Sequence, residues 1–428
     1  MRFAAKIEKT KKLKSPNTYS IWVKITDVLL DTVKISGSLK GKIVKITREV
    51  PENAPEPCDG ELIVLDKIET LDAIQELNKP KNIPKMRHLE ASKFLADLDG
   101  DGYDEMFLGN SFAEMIISPV RSGRIIHLST YAGKSFFENK LLKCLRHNAV
   151  GGAFFTAGKS EDFKLDSAKF KPEKMDKNKV LCSRKKNSIS MKSKISNVNT
   201  KIQIELSADS PVFRISLNLD NSSKKAKNVD VSPYFNMNFE PVGNKSSKLY
   251  FQEPSGEIFH FLQKSVYSCW DFDDSWINYT GDIETDNSGF FAIRRKDTND
   301  GLCINFDPKT VFRVWEHRHA PLPHTKLIYS KRRIKKNSLE KFELFITPLT
   351  DFKIHDGSLL GYTLSPNGCF IVFAGNKKPN ISITENEIVK DLELQKISRT
   401  MFGKYLKKSP DTIELKNSDI KLIPKNNE

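Results

Sequence analysis

Asp97-Leu98-Asp99-Gly100-Asp101-Gly102-Tyr103-Asp104-Glu105-Met106-Phe107-Leu108-Gly109 sets an acidic, glycine-rich loop directly against an apolar run. Hard cations such as Ca²⁺ take about six to eight oxygens. The carboxylates of Asp97, Asp99 and Asp101, the backbone carbonyl of Tyr103 and the carboxylate of Glu105 supply such a set at alternating positions. Gly102 stands where the chain must turn sharply, and there a Cβ would obstruct the turn. The bidentate Glu of an EF-hand is replaced by Leu108, and Met106-Phe107-Leu108 reads as a strand. The expectation is a structural Ca²⁺ loop at the entry to a β-sheet. The other reading of these residues is a polar Asx-type turn that holds no metal.

On the N-terminal side, Tyr19–Ile25, Val33–Gly37, Gly41–Ile46 and Glu61–Leu65 alternate with period two, as half-buried strands do. Leu71–Leu77 reads as a short helix halted by Pro80 and Pro84. Residues 1–85 therefore form a small, basic, β-rich module, with a linker near 79–90. On the C-terminal side the chain is strand after strand. Examples are Ala113–Ser118, Arg124–Leu128, Ile202–Leu206, Val212–Leu219, Gly289–Arg294, Val311–Glu316 and Phe342–Thr347, separated by Asn, Asp, Ser, Gly and Lys turns. Such spacing predicts an antiparallel sandwich or barrel over 90–375. The acidic loop also matches the cation loop of integrin-type propeller blades, but a propeller needs several copies and the sequence has one. The Lys-rich stretch 163–196 is expected to form long hairpin loops. The extension 376–428 is expected to hold a helix over Ile388–Phe402 and to end in a fraying tail.

The 428 residues suffice for a large core, and the 27 Phe argue against disorder. The net charge of +15 permits polyanion binding, yet the excess is mostly Lys scattered along the chain, as on a solvated surface. The basic run Lys331–Lys336 lacks interleaved aromatics, so nucleic acid is not the expected partner. The six cysteines are far apart, with no Cys-x-x-Cys pair, which suggests reduced thiols rather than zinc or a disulfide framework. No apolar leader or membrane-length apolar run is visible, so a cytoplasmic location is expected, with no membrane partner.

Three segments in order carry a family likeness. They are Asp97–Glu105, then Ile117-Ser118-Pro119-Val120-Arg121-Ser122-Gly123-Arg124-Ile125-Ile126-His127-Leu128, then Ser232-Pro233-Tyr234-Phe235-Asn236-Met237-Asn238-Phe239. Together they resemble the galactose-mutarotase-like β-supersandwich, most nearly the C-terminal domain of family-57 α-amylases and 4-α-glucanotransferases. There an acidic loop leads into a strand and a Ser-Pro-x-x-Gly-Gly segment follows; here Ser122 replaces the first glycine. The likeness implies an all-β, antiparallel supersandwich over 90–375 behind the N-terminal module. The family's catalytic barrel has no room in residues 1–90. The mutarotase acid, a His beside a Tyr-Phe-Asn strand, is Ser232 here, and a hydroxyl does not trade protons near neutral pH as an imidazole does.

Two clusters carry chemistry. In the first, Trp270, Asp271, Asp273, Asp274 and Trp276 set aromatic faces beside carboxylates, the mixture that a sugar's C–H face and hydroxyls need. With Tyr234 and Asn236 they are candidate substrate-binding residues; alternatively each Trp packs in the core beside an acidic loop. In the second, Trp315, Glu316, His317, Arg318 and His319 lie on a strand, Trp315 and Arg318 joining the candidate binding set. Alternation puts Glu316 and Arg318 on one face and Trp315, His317 and His319 on the other. This cluster reads as structural, as a sugar-binding edge, as acid–base groups (Glu316 with His317 or His319), or as a Zn²⁺ site lacking an identifiable third ligand. The sequence thus points to a non-catalytic binder of an α-glucan-like oligosaccharide, with a separate catalytic chain as a conceivable partner. A carbohydrate epimerase or glycan-processing enzyme is the first alternative. A scaffold or nucleic-acid-associated protein acting through the basic module is the second.

Overall fold

A computed structural model describes residues 2–12, 18–28, 43–49, 62–66, 89–98, 103–131, 133, 135–136, 152–157, 165, 168–222, 228–238, 247–252, 258–263, 275–278, 289–295, 299–317 and 324–424. The chain divides into two compact units. One comprises Met1–Ile83 with the segments Asp97–Tyr103 and Lys140–Val150; the other holds Pro84–Ala96, Asp104–Asn139 and Gly151–Glu428. In the first unit, Arg2–Lys12, Thr18–Val28, Ile43–Glu49 and Leu62–Asp66 make an antiparallel four-stranded sheet. The first strand was not anticipated. The expected strand at Val33–Gly37 and helix at Leu71–Leu77 lie outside the described residues.

The second unit is an antiparallel supersandwich. Its two main sheets have ten and nine strands among the described residues. The ten-stranded sheet contains Ala91–Ala96, Glu105–Gly109, Ala113–Ser118, Arg124–Thr130, Gly152–Ala157, Pro233–Asn238, His324–Tyr329, Val311–His317 and Ser275–Asn278, in that spatial order, with Leu181–Ser183 at its first edge. The nine-stranded sheet is centred on Val198–Ser207, Phe213–Asp220, Leu339–Leu349 and Gly301–Phe306. Alternate residues of both enter one buried core: Met115, Leu128, Phe155, Phe235 and Leu327 from the first, and Ile204, Ile215, Leu344 and Ile304 from the second. Tyr329 spans this core, its hydroxyl donating to the Glu343 carbonyl of the facing sheet at 3.0 Å.

Two expectations fail here. The Lys-rich stretch is not merely loop: Lys186–Ile195 is a ten-residue strand whose Ile189, Met191 and Ile195 point inward while Ser188, Ser190, Lys192 and Lys194 face out. The extension has no helix at Ile388–Phe402 but strands at Ile388–Leu392, Gln395–Lys396 and Met401–Leu406. The cause is the turn before it. Asn386 and Glu387 both adopt left-handed backbone, φ 49° and 67°, between the paired residues Glu385 and Ile388. Two successive positive φ values make the mirror-image turn that closes a hairpin.

The C-terminal residues add two further layers. Asp351–His355, Ser358–Ser365, Gly368–Ala374, Met401–Leu406 and Gln395–Lys396 form a five-stranded sheet, so position 375, read as a domain boundary, falls inside a continuous sheet. Ile381–Glu385, Ile388–Leu392, Thr412–Leu415 and Lys421–Leu422 form a four-stranded one. The five-stranded sheet is buried on both faces. Leu359, Phe370, Val372, Ala374 and Met401 join the main core, whereas Leu360, Cys369, Ile371, Phe373 and Phe402 join a second core against the four-stranded sheet. The unbroken apolar run Cys369-Phe370-Ile371-Val372-Phe373-Ala374 reflects this double burial.

Candidate functional site

The ten-stranded sheet has a second face, away from the core. Phe155, Phe235, Met237, Leu327 and Val314 point inward, so Phe154, Thr156, Tyr234, Asn236, Lys326, Ile328 and Arg313 occupy the outer face. Register aligns them into rows that cross several strands. In one row Phe154 is opposite Asn236, Asn236 opposite Lys326, Lys326 opposite Trp315, and Trp315 opposite Trp276. In the next, Thr156, Tyr234, Ile328, Arg313 and Asn278 follow one another in the same way.

Side chains tie the rows together. The Arg124 guanidinium lies over the Phe154 ring, 3.8 Å from its centroid, with Arg124 itself buried. The Lys326 ammonium sits 5.4 Å from the centroid of Tyr234. Each contact pairs a cation with an aromatic face. Asn236 is buried, whereas Tyr234 and Lys326 remain half-exposed.

Further along the same face is a polar cluster that sequence reasoning missed. His127 Nε2 lies 3.0 Å from Ser129 Oγ and 3.5 Å from Glu114 Oε1, and the Ser129 hydroxyl donates to Glu114 Oε1 at 3.3 Å. Glu114 and Ser129 are buried. The available signal was a charged residue alternating with apolar ones, as in Ala113-Glu114-Met115 and Ile126-His127-Leu128.

Of the residues singled out from sequence, Tyr234, Asn236, Trp276 and Trp315 thus take positions in two adjacent rows. Glu316 is out of step with them: it stands opposite Thr325 and Ser275, whereas His317 stands opposite His324. Glu316 and His317, candidate catalytic residues, are consecutive positions of the strand Val311–His317. Trp270, Asp271, Asp273, Asp274, Arg318 and His319 lie outside the described residues. So do Asp99 and Asp101 of the acidic loop. Asp97 and Tyr103 are exposed, and Glu105, which begins its strand, is fully buried. Among the described residues no three His, Cys, Asp or Glu side chains are grouped to hold a metal ion. Ser232 donates its hydroxyl to the Tyr329 carbonyl at 3.1 Å.

No protein-family model matches the chain, and comparison with curated proteins finds no match. Solved structures similar to it include galactose mutarotase-like proteins. The Slr1438 protein from Synechocystis sp. PCC 6803 is 9% identical with a TM-score of 0.43, over 58% of this chain and 96% of that one. A galactose mutarotase-like protein from Lactobacillus casei ATCC 334 is 9% identical with a TM-score of 0.38, over 57% and 99%. A 4-alpha-glucanotransferase from Thermococcus litoralis is 11% identical with a TM-score of 0.32, over 60% of this chain and 38% of that one.

Proposed function

We propose that this chain binds carbohydrate, an α-glucan-like oligosaccharide, on the outer face of the ten-stranded sheet. One observation carries the reading: a single register row runs from Asn236 through Lys326 and Trp315 to Trp276, with Tyr234 beside it, while Phe154 at the other end of the row is buried beneath Arg124. Aromatic positions stand there beside an amide and an ammonium. A pyranose needs that combination, because it offers an apolar C–H face and an edge of hydroxyls that both donate and accept. The proposal includes a structural Ca²⁺ at Asp97–Glu105, on sequence spacing alone, with the metal ordering the loop and taking no part in chemistry. It also places the protein in the cytoplasm. Cys182, Cys303 and Cys369 are free, which suits a reducing compartment. Among the described residues no helix is long and apolar enough to cross a membrane.

The test is a titration with maltoheptaose, followed through tryptophan fluorescence, since two of the four Trp lie in the row. Saturable binding that barely responds to ionic strength is expected, weakened at least tenfold in Tyr234→Ala. A flat titration, or affinity for a polyanion that falls steeply with salt, defeats the proposal. A glycan-turnover screen run alongside, with Glu316→Gln as control, separates binding from catalysis.

A further inference from the structure

The nine-stranded sheet has a cleft of its own, on its outer face, with a volume of about 400 Å³. Its floor is another register row: Arg214 is opposite Phe345, and Phe345 is opposite Asn305. One wall is the segment Ile397–Thr400, which belongs to the third layer. Asn305 fastens that wall to the floor. It is buried, its Nδ2 donates to Thr400 Oγ1 at 3.2 Å, and its Oδ1 accepts from the Ser398 hydroxyl at 2.8 Å. The cleft is therefore preformed, at a junction between layers where ligand pockets commonly occur.

Each cation already has a carboxylate. Arg214 bonds Glu343 at 2.8 Å and lies 3.5 Å from Glu205, Lys341 reaches the same Glu343 oxygen at 2.6 Å, and Arg399 lies 3.3 Å from Asp307. An anionic ligand would have to compete with a carboxylate already seated on each cation, and a cationic ligand would face the converse. A neutral ligand with hydroxyls avoids both conflicts, because each hydroxyl can donate to a fixed carboxylate and accept from a fixed guanidinium or ammonium. The half-buried Phe345, with Ile397 above it, adds an apolar surface between these charges.

We infer that this cleft is a second binding site, for one unit of a neutral sugar, on the opposite sheet from the face proposed above. The two sites share no residue, so each stands or falls alone. The experiment is hydrogen exchange on the whole chain, with maltotriose or inorganic phosphate at millimolar concentration. Maltotriose is expected to protect peptides over 212–216, 341–346 and 395–401, and phosphate to leave them unchanged. Phe345→Leu, which keeps apolar volume but removes the ring, should weaken this protection about tenfold without lowering Tm. Absence of maltotriose protection in these peptides overturns the inference, as does equal protection by phosphate or an unaltered Phe345→Leu response. Protection confined to 152–157, 233–238 and 311–329 overturns it while leaving the first face supported.

Discussion

The hydroxyl of Tyr329, on the ten-stranded sheet, donates to the backbone carbonyl of Glu343 on the nine-stranded sheet, 3.0 Å away through a closed core. Tyr329 has no exposed surface, and its ring meets Phe342 edge-on at 5.3 Å between centroids. Burial and the nearby Glu343 charge hold the phenol well above its ordinary value, so it stays a donor throughout the accessible pH range. Tyr329→Phe leaves the ring and removes the bond. The expected loss is about 1–2 kcal/mol, read from urea unfolding. An unchanged midpoint would mean the contact carries no net stability.

Ser122 follows the turn Pro119–Arg121 with left-handed backbone, φ 62°, and Gly123 continues it at φ 65°. An L-residue with a Cβ is strained there, whereas glycine is not. Ser122→Gly is expected to raise stability by about 0.5–1 kcal/mol. Gly123→Ala should act in reverse, since its Cβ would come within 2.8 Å of Ile202 Cδ1 and 3.0 Å of Met191 Sδ on the facing sheet. Thermal melts of both variants check the signs; a destabilised Ser122→Gly contradicts the strain argument.

Burial pushes the Glu343 carboxyl up, but hydrogen bonds and charge from Lys341 and Arg214 outweigh this and bring it below the ordinary value of 4.5. A carboxyl lowered by folding stabilises above its unfolded value, and that contribution disappears as pH falls through the folded one. Unfolding midpoints of wild type and Glu343→Gln should therefore differ most at neutral pH and converge between about pH 5 and pH 3. A gap that does not shrink in acid removes this ion pair from the account.

The doubly buried sheet makes residues beyond 375 structural. Stopping the chain after Gly375 strips the strand Gly368–Ala374 of its partner Met401–Leu406 and uncovers Leu360, Ile371 and Phe373. We expect this truncation to be insoluble, and Phe373→Ala alone to cost about 3–5 kcal/mol. A soluble, cooperatively melting truncation would show that the main sandwich closes without its outer layers.

For the acidic loop the measurement is a melting curve with excess chelator. A cation bound only to the folded state raises Tm by mass action, so chelation should lower it and added Ca²⁺ restore it. Identical curves argue for the metal-free turn.

Strand content was legible where side-chain alternation met clear turns, and Ala113–Ser118 was read to the residue. It was illegible where the turn carries no glycine, as at Asn386-Glu387, or where outward Lys and Ser dilute the inward apolar residues, as in Lys186–Ile195. Tyr234 and Asn236 stood out because they belong to one short run. Arg124 with Phe154, and Glu114 with His127, did not, because each pair is joined by strand pairing and no local motif records it.

The middle layer also bears on how the chain reaches its native state. Until Ile381–Leu422 has left the ribosome, a completed main sandwich would display greasy β-surface with nothing to cover it. Burial of that surface therefore waits for strands that emerge after the sheet they cover.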